Sequence, residues 1–335
     1  MKISPCRAHG LRTRSMRVTI LLALVLAGAQ MTPAQDEAAP EFAVQAALAG
    51  RSLMLDAAAA DGALVAVGGR GHILISTDGG EIWNQAKVPT RAALTGVFFH
   101  DRDLGWAVGH DSVILRTTDG GTTWERVHWA PEEESPLFDV WFADADNGFA
   151  IGAYGSFYVT SDGGTTWSFE PIGEDDFHLH HLARAADGRL YMAAEAGMSY
   201  RSDDEGVTWT ELPSPYSGSF FATLPLDGDT LLLFGLRGHL FRSEDAGESW
   251  TELETGTVAM LTDGLRLDDG RILITGLGGV TLISNDGGNT FDLLQLSNRR
   301  GISAVVRVSE DSLLLVGEFG VRTLPLDDLT GRKER

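Results

Sequence analysis

The sequence predicts an all-β fold, a single seven-bladed β-propeller built from four-stranded blades. Three observations lead there: a short box repeated six times at near-constant spacing, strand-like runs flanking every box, and a seventh set of such runs after the last one. The boxes are STDGGEIW (76–83), TTDGGTTW (117–124), TSDGGTTW (160–167), SDDEGVTW (202–209), SEDAGESW (243–250) and SNDGGNTF (284–291). Each reads Ser/Thr-x-Asp-x-Gly-x-x-Trp, with Phe291 in the last slot. The aspartates Asp78, Asp119, Asp162, Asp204, Asp245 and Asp286 are separated by 41, 43, 42, 41 and 41 residues. That is the period of a four-stranded propeller blade.

The chemistry of the box explains its composition. The Ser/Thr ends a strand, and the Asp carboxylate accepts nearby backbone N–H groups and fixes a turn. Glycine takes the positive φ that other residues resist. The aromatic opens the returning strand and buries a large apolar area between neighbouring sheets. The six aspartates are therefore structural, because a calcium site needs six or more oxygens converging on one point.

The strands follow in register. In the second repeat, 94–99 is strand A, 104–109 strand B, 113–118 strand C and 124–129 strand D; short β-branched and aromatic runs between glycine-rich turns carry this reading. Strand A begins near Leu53, Leu94, Leu137, His178, Ser219, Met260 and Ile302, which gives seven blades. The seventh has A (302–308), B (312–317) and C (320–324), but PLDDLTGRKER has neither the glycine nor the aromatic of a box. The strand-like segment EFAVQAAL (41–48) is expected to supply the missing outer strand of blade seven and so close the ring. The expected organisation is a signal peptide over 1–29, a flexible linker over 30–40, the propeller over 41–326 and a tail over 327–335.

The N-terminus carries the layout of a secretory signal. Lys2, Arg7, Arg12, Arg14 and Arg17 are basic, Val18 to Ala29 is an apolar run, and no acidic residue precedes Asp36. The run is too short to span a bilayer comfortably, and Ala27-Gly28-Ala29 fits the small-x-small cleavage rule. Cleavage after Ala29 leaves 47 acidic against 21 basic side chains, a net charge of −26, and removes Cys6, the only cysteine. Thiol chemistry and disulfides are thereby excluded from the processed chain, and nucleic acid is excluded as the main ligand, because phosphate binding needs a basic surface. The expectation is an exported, periplasmic protein that binds a basic partner in a salt-sensitive way.

The box is that of the bacterial neuraminidase, or Asp-box, repeat. GWAVGHDSVILRTTDGGTTWERV and GFAIGAYGSFYVTSDGGTTWSFE add Gly-aromatic-x-x-Gly ahead of it. Over residues 41 to 325 this longer pattern resembles the photosystem II stability and assembly factors, seven-bladed propellers of the lumen of phototrophs with similar exported relatives in other bacteria. The resemblance implies a non-catalytic scaffold or accessory factor, peripheral to a membrane protein complex, monomeric and without cofactor or metal. In non-phototrophs the complex would include transporters of the resistance-nodulation-division type. It also implies an arginine-rich patch, for which Arg70, Arg237, Arg299 and Arg300 are the candidates in this acidic chain.

In a four-stranded blade the A–B and C–D turns share one face, and the B–C turns and D–A links the other. The boxes are C–D turns. Candidate binding residues therefore lie in the B–C turns, namely Arg70, His72, His110, Asp111, Tyr154, Glu195, Arg237, His239, Glu318 and Phe319, with Arg299 and Arg300 in a D–A link. Other D–A links are acidic, with Glu132, Glu133 and Glu134, read as a solvated run, and Asp175 and Asp176. His178, His180 and His181 fall in the inner strand of blade four, where alternation puts 178 and 180 on one face; polar lining of the channel is the reading there, over a metal site, which needs further ligands.

The competing class is a glycoside hydrolase, since sialidases share the box. A sialidase-type site needs three arginines on a carboxylate, a Tyr–Glu nucleophile and an Asp acid/base, and the chain lacks the Arg-Ile-Pro start. Its five tyrosines are Tyr154, Tyr158, Tyr191, Tyr200 and Tyr216, of which Tyr158, Tyr191 and Tyr200 sit in strands. No nucleophile elbow, P-loop or HExxH is present. A glycan- or peptide-binding propeller is the other alternative, served by Tyr154 and Phe319.

Overall fold

Short apolar runs separated by glycine turns pair with their sequence neighbours, because a tight turn leaves an antiparallel partner closest. In the computed structural model, which describes residues 40–173 and 175–330, this gives seven antiparallel sheets in chain order, six of four strands and a last one of three. The inner strands A are Met54–Ala60, Leu94–Phe99, Leu137–Phe142, Leu179–Arg184, Phe220–Pro225, Leu261–Arg266 and Ile302–Arg307. Strands B of blades two to six are buried along their whole length. Side chains from consecutive blades interlock there: the Trp106 ring of blade two stacks on Phe142 of blade three with centroids 3.4 Å apart.

The boxes form as their chemistry requires. Ser76 Oγ donates to Asp78 Oδ1 at 2.7 Å and accepts the Gly80 N–H at 2.9 Å, while Asp78 Oδ1 accepts the Ile82 N–H at 3.0 Å. Trp83 Nε1 then donates to the Gly80 carbonyl at 3.1 Å. The pattern recurs around Asp119, Asp162, Asp204, Asp245 and Asp286. Trp250 differs in donating to the Pro213 carbonyl of the preceding link.

The ring closure departs from expectation. Blade seven consists of Ile302–Arg307, Ser312–Gly317 and Gly320–Pro325, without a fourth strand. Residues 41–46 run instead along the outer edge of blade one. The Ala43 N–H donates to the Val88 carbonyl, the Gln45 amide to the Ala86 carbonyl, and the Gln85 amide to the Val44 carbonyl. Glu41 pairs with Arg91 at 2.9 Å, and Lys87 lies over the Phe42 ring. What meets blade seven is the following turn, Ala49–Arg51, whose Gly50 carbonyl lies so close to Gly320 that a Cβ there would stand 2.0 Å away. The blades close by apolar packing of Met54, Ala57 and Leu74 against Ala304, Leu314 and Val316.

The C-terminal segment also departs from expectation. Leu326–Thr330 is a short helix, and Leu326 and Leu329 are buried against Leu313 and Leu324. The proposed signal peptide, residues 30–39 of the linker and residues 331–335 lie outside the described residues. Among the described residues no helix is long and apolar enough to cross a membrane.

Deleting residues 41–46 removes a handful of mostly exposed hydrogen bonds. It is expected to lower Tm by only about 3 °C in calorimetry. Extending the deletion through Gly50, which uncovers Gly320, is expected to cost clearly more. A large drop from the shorter deletion would restore the strand-closure reading.

Candidate binding face and central channel

Five B–C turns share one backbone shape: Gly69–Gly71, Ala153–Gly155, Glu195–Gly197, Leu236–Gly238 and Leu277–Gly279. Their central residues are left-handed: Arg70 (φ 63), Tyr154 (φ 54), Ala196 (φ 56), Arg237 (φ 57) and Gly278 (φ 68). The next residue is always a glycine with positive φ. A Cβ on Gly71 would stand 2.2 Å from the Thr90 carbonyl, and one on Gly238 2.3 Å from that of Thr257, so each turn is wedged against its D–A link. The central residue is pushed outward. A left-handed conformation costs a side-chain-bearing residue about 1 kcal/mol, yet Arg, Tyr and Arg occupy it where blade six uses glycine.

The structure divides the predicted residues into two groups. Arg70, His110, Asp111, Tyr154 and Arg237 project from turns into solvent, with Tyr154 58% exposed. Arg299 (φ 51) and Arg300 are exposed in the link that flanks the Gly278-Gly279 turn. The others serve the scaffold. His72 is 3% exposed and bonds Ser52 Oγ at 3.0 Å; burial and the Arg70 charge push its pKa down. Glu195 accepts the His178 N–H, Glu318 accepts the Gly301 N–H, and Phe319 packs on the blade-seven core. His239 lies 2.6 Å from Glu252 and against the Tyr216 ring. In the acidic link, Glu133 is more than solvated: it accepts the Tyr158 hydroxyl at 2.5 Å.

Charge divides the two faces. Arg189, Arg201, Arg242, Arg266, Arg271 and Arg307, at the Asp-box side, each pair with a carboxylate. The A–B turns of that side are themselves acidic, from Asp101 and Asp103 through Asp268 and Asp269. Among the described residues Arg102, Arg116 and Arg184 make no ion pair there. On the B–C side Arg91 is paired, whereas Arg70, Arg237, Arg299 and Arg300 make no ion pair among the described residues. Unpaired guanidinium groups stay available for an incoming carboxylate.

The channel holds residues that sequence reading missed. Every strand A pairs with its strand B through a register irregularity between its first and third residues. Such a bulge turns two successive side chains the same way, and at blade four it brings His180 and His181, rather than His178 and His180, to the channel wall. The third position carries Asp56, Asp139, His181 and Asp263 in blades one, three, four and six. Each aspartate accepts its own neighbour's N–H and, at 2.8 Å, one from the next blade: Val97, Leu182 and Val305 respectively. They are staples between blades. Aligning the seven inner strands would have shown this column.

Burial pushes Asp139 up to about 7, and burial with mutual repulsion raises Asp56 well above the carboxylate range. Burial lowers His181. The signs differ. Between about pH 4 and 7 the folded state holds the Asp139 proton longer than the unfolded state, so this group's contribution falls as pH rises. The histidines with lowered pKa act oppositely below about 6.5. Comparison with a variant isolates the aspartate: the Tm of Asp139→Asn relative to the parent is expected to be more favourable at pH 8 than at pH 5. A difference independent of pH would contradict the assignment. Among the described residues no group of three or more His, Cys, Asp or Glu is arranged to hold a metal.

Comparison with known proteins follows the same lines. A family model described as "Photosynthesis system II assembly factor YCF48" matches residues 81–137 and 130–273. "Photosystem II assembly protein Ycf48" of Thermosynechococcus vestitus is 42% identical over 43 residues, which is 13% of this chain and only 12% of that protein's length. A solved structure described as YCF48 bound to D1 peptide superposes with a TM-score of 0.68 at 20% identity, covering 87% of this chain and 96% of that one. Virginiamycin B lyase from Staphylococcus aureus superposes at 0.71 with 13% identity, over 82% and 96%. At these identities the likeness of the structures shows the fold alone.

Proposed function

The chain belongs to the YCF48 family of photosystem II assembly factors, and from that premise we propose that it is a non-catalytic assembly factor that holds an acidic protein segment on its B–C face. The observation that carries this reading is the set of unpaired arginines, Arg70, Arg237, Arg299 and Arg300, on that face of a strongly acidic molecule. The peptide bound to a solved relative supports a protein segment as the ligand. A rigid ring of turns pays little ordering entropy on binding, and bidentate guanidinium groups give carboxylates orientation as well as affinity. The reading includes export and a peripheral place beside a membrane protein complex, supported by the basic and apolar pattern of residues 1–29. It replaces a basic partner by an acidic one, because Arg70, Arg237, Arg299 and Arg300 stand without an ion pair on the turn-bearing face, which also carries the acidic links 132–134 and 175–176.

The test is capture from gently solubilised native membranes by the tagged mature protein, with bound proteins identified by mass spectrometry. Enrichment of one membrane complex, released as salt is raised, is the expected result. Recovery of the protein alone would overturn the reading and favour a glycan-binding propeller.

A further inference from the structure

We propose that the outer edge of blade seven is a docking site for an extended acidic segment, which adds to Gly320–Pro325 as the fourth strand that this blade lacks. This deepens the reading of an acidic protein segment as the partner, and rests on it for the class of the ligand.

The edge is preformed. Six blades carry a fourth strand outside strand C, and blade seven does not. Among the described residues no backbone group of Gly320–Pro325 bonds to anything beyond Ser312–Gly317. Strand C itself is held in place. Thr323 Oγ1 donates to the Gly79 carbonyl of blade one at 3.4 Å, and Leu324 is buried in the core shared with blade six. The Ala49–Arg51 turn caps only the Gly320 end. Fourth strands elsewhere are as short as Asn84–Gln85 and Asp292–Gln295, so the open length suffices. Such an edge takes an extended segment through main-chain hydrogen bonds, and the flanking side chains select which segment.

Arg322 makes the selection. Paired with Leu315, it stands at the strand C position that holds Leu74, Leu115, Tyr158, Tyr200, Phe241 and Leu282 in the other blades. There a fourth strand runs beside an apolar or aromatic side chain. Here the guanidinium is exposed and makes no ion pair among the described residues. Arg51, exposed and also without an ion pair among them, abuts Gly320 at the B–C end. At this register strand D sets Glu211 beside Tyr200 and Glu252 beside Phe241, so the place accommodates a carboxylate. Opposite charges directly across two strands attract, and like charges repel. Asp327 and Asp328 follow Pro325 at the Asp-box end, so the acidic part of the segment belongs at the end of Arg322 and Arg51. The chain's own residues 331–335, GRKER, would bring like charge to Arg322, and a second copy of the edge would bring its own Arg322.

The test offers the full mature chain the peptide acetyl-TVTVEVT-amide, a second peptide with lysine in place of the glutamate, and an analogue of the first N-methylated throughout. Binding is read by fluorescence anisotropy of the labelled peptides and by hydrogen exchange, in NMR, of the outward amides of residues 321–324. The glutamate peptide is expected to bind one per chain, about tenfold more tightly than the lysine peptide, and to slow exchange at those amides. Arg322→Glu is expected to reverse the preference at unchanged Tm, and the N-methylated analogue is expected not to bind. Binding of that analogue, equal binding of the two charged peptides, or no binding of any would overturn the proposal. Outward amides already slow in the free monomer would overturn it in favour of a segment of this chain, and slow only in a dimer, in favour of a second copy. Capture of a membrane complex through Arg70 and Arg237 is read separately and would stand in each of those cases.

Discussion

Trp106→Ala is expected to lower the unfolding free energy by about 4 kcal/mol, and Tm by about 10 °C. Trp106 is fully buried at the junction of blades two and three. Its ring stacks on Phe142 and faces Phe98, and its Nε1 donates to the Gly163 carbonyl at 3.1 Å. Gly163 belongs to the Asp box of blade three. The side chain therefore joins strand B of one blade to the turn of the next. Alanine would leave a large cavity and a carbonyl without its donor, two costs that add. Blades contact mainly their neighbours, so the loss falls on one junction of the ring. Scanning calorimetry reads it directly, and a fall of less than about 3 °C would contradict the packing described.

The double variant Arg70→Gly with Arg237→Gly is expected to weaken partner capture at least about a hundredfold, because arginines at the centre of an interface each contribute about 2 kcal/mol. Its stability is expected to stay level or rise. Both residues hold a left-handed φ that glycine takes without strain, and neither makes an ion pair that would be lost. Most functional-site substitutions mix folding with binding; here the two move in opposite directions. Unchanged capture would place the contact elsewhere. A lowered Tm would show that the arginines serve the scaffold.

Much of this architecture was legible because it is repeated. Six boxes put the turns, strands and blade starts in register, and a wrong reading of one repeat is corrected by the others. The closure was not legible for a physical reason: EFAVQAAL has strand character, and the outer edges of blades one and seven both offer unpaired backbone. What decides between them is the fit of Gln45 and Gln85 amides to backbone carbonyls and the packing of the Ala49–Arg51 turn against Gly320. Neither leaves a periodic mark. The terminal helix did leave one, since Leu326 and Leu329 are spaced for a single helical face, in a segment that no box marks. For the binding face, the turn positions were readable and the roles were not. Glu195 and Glu318 looked available, yet both are spent on backbone N–H groups. Asp56, Asp139 and Asp263 are hidden by the bulge that rotates them into the channel.

The claim that the B–C face holds the partner is tested most directly by hydrogen exchange on the captured complex, compared with the free protein. Slowed exchange at residues 69–72, 153–156, 236–239 and 298–301, with the Asp-box turns unchanged, is the predicted result. Protection confined to the Asp-box turns and the acidic A–B turns would contradict it.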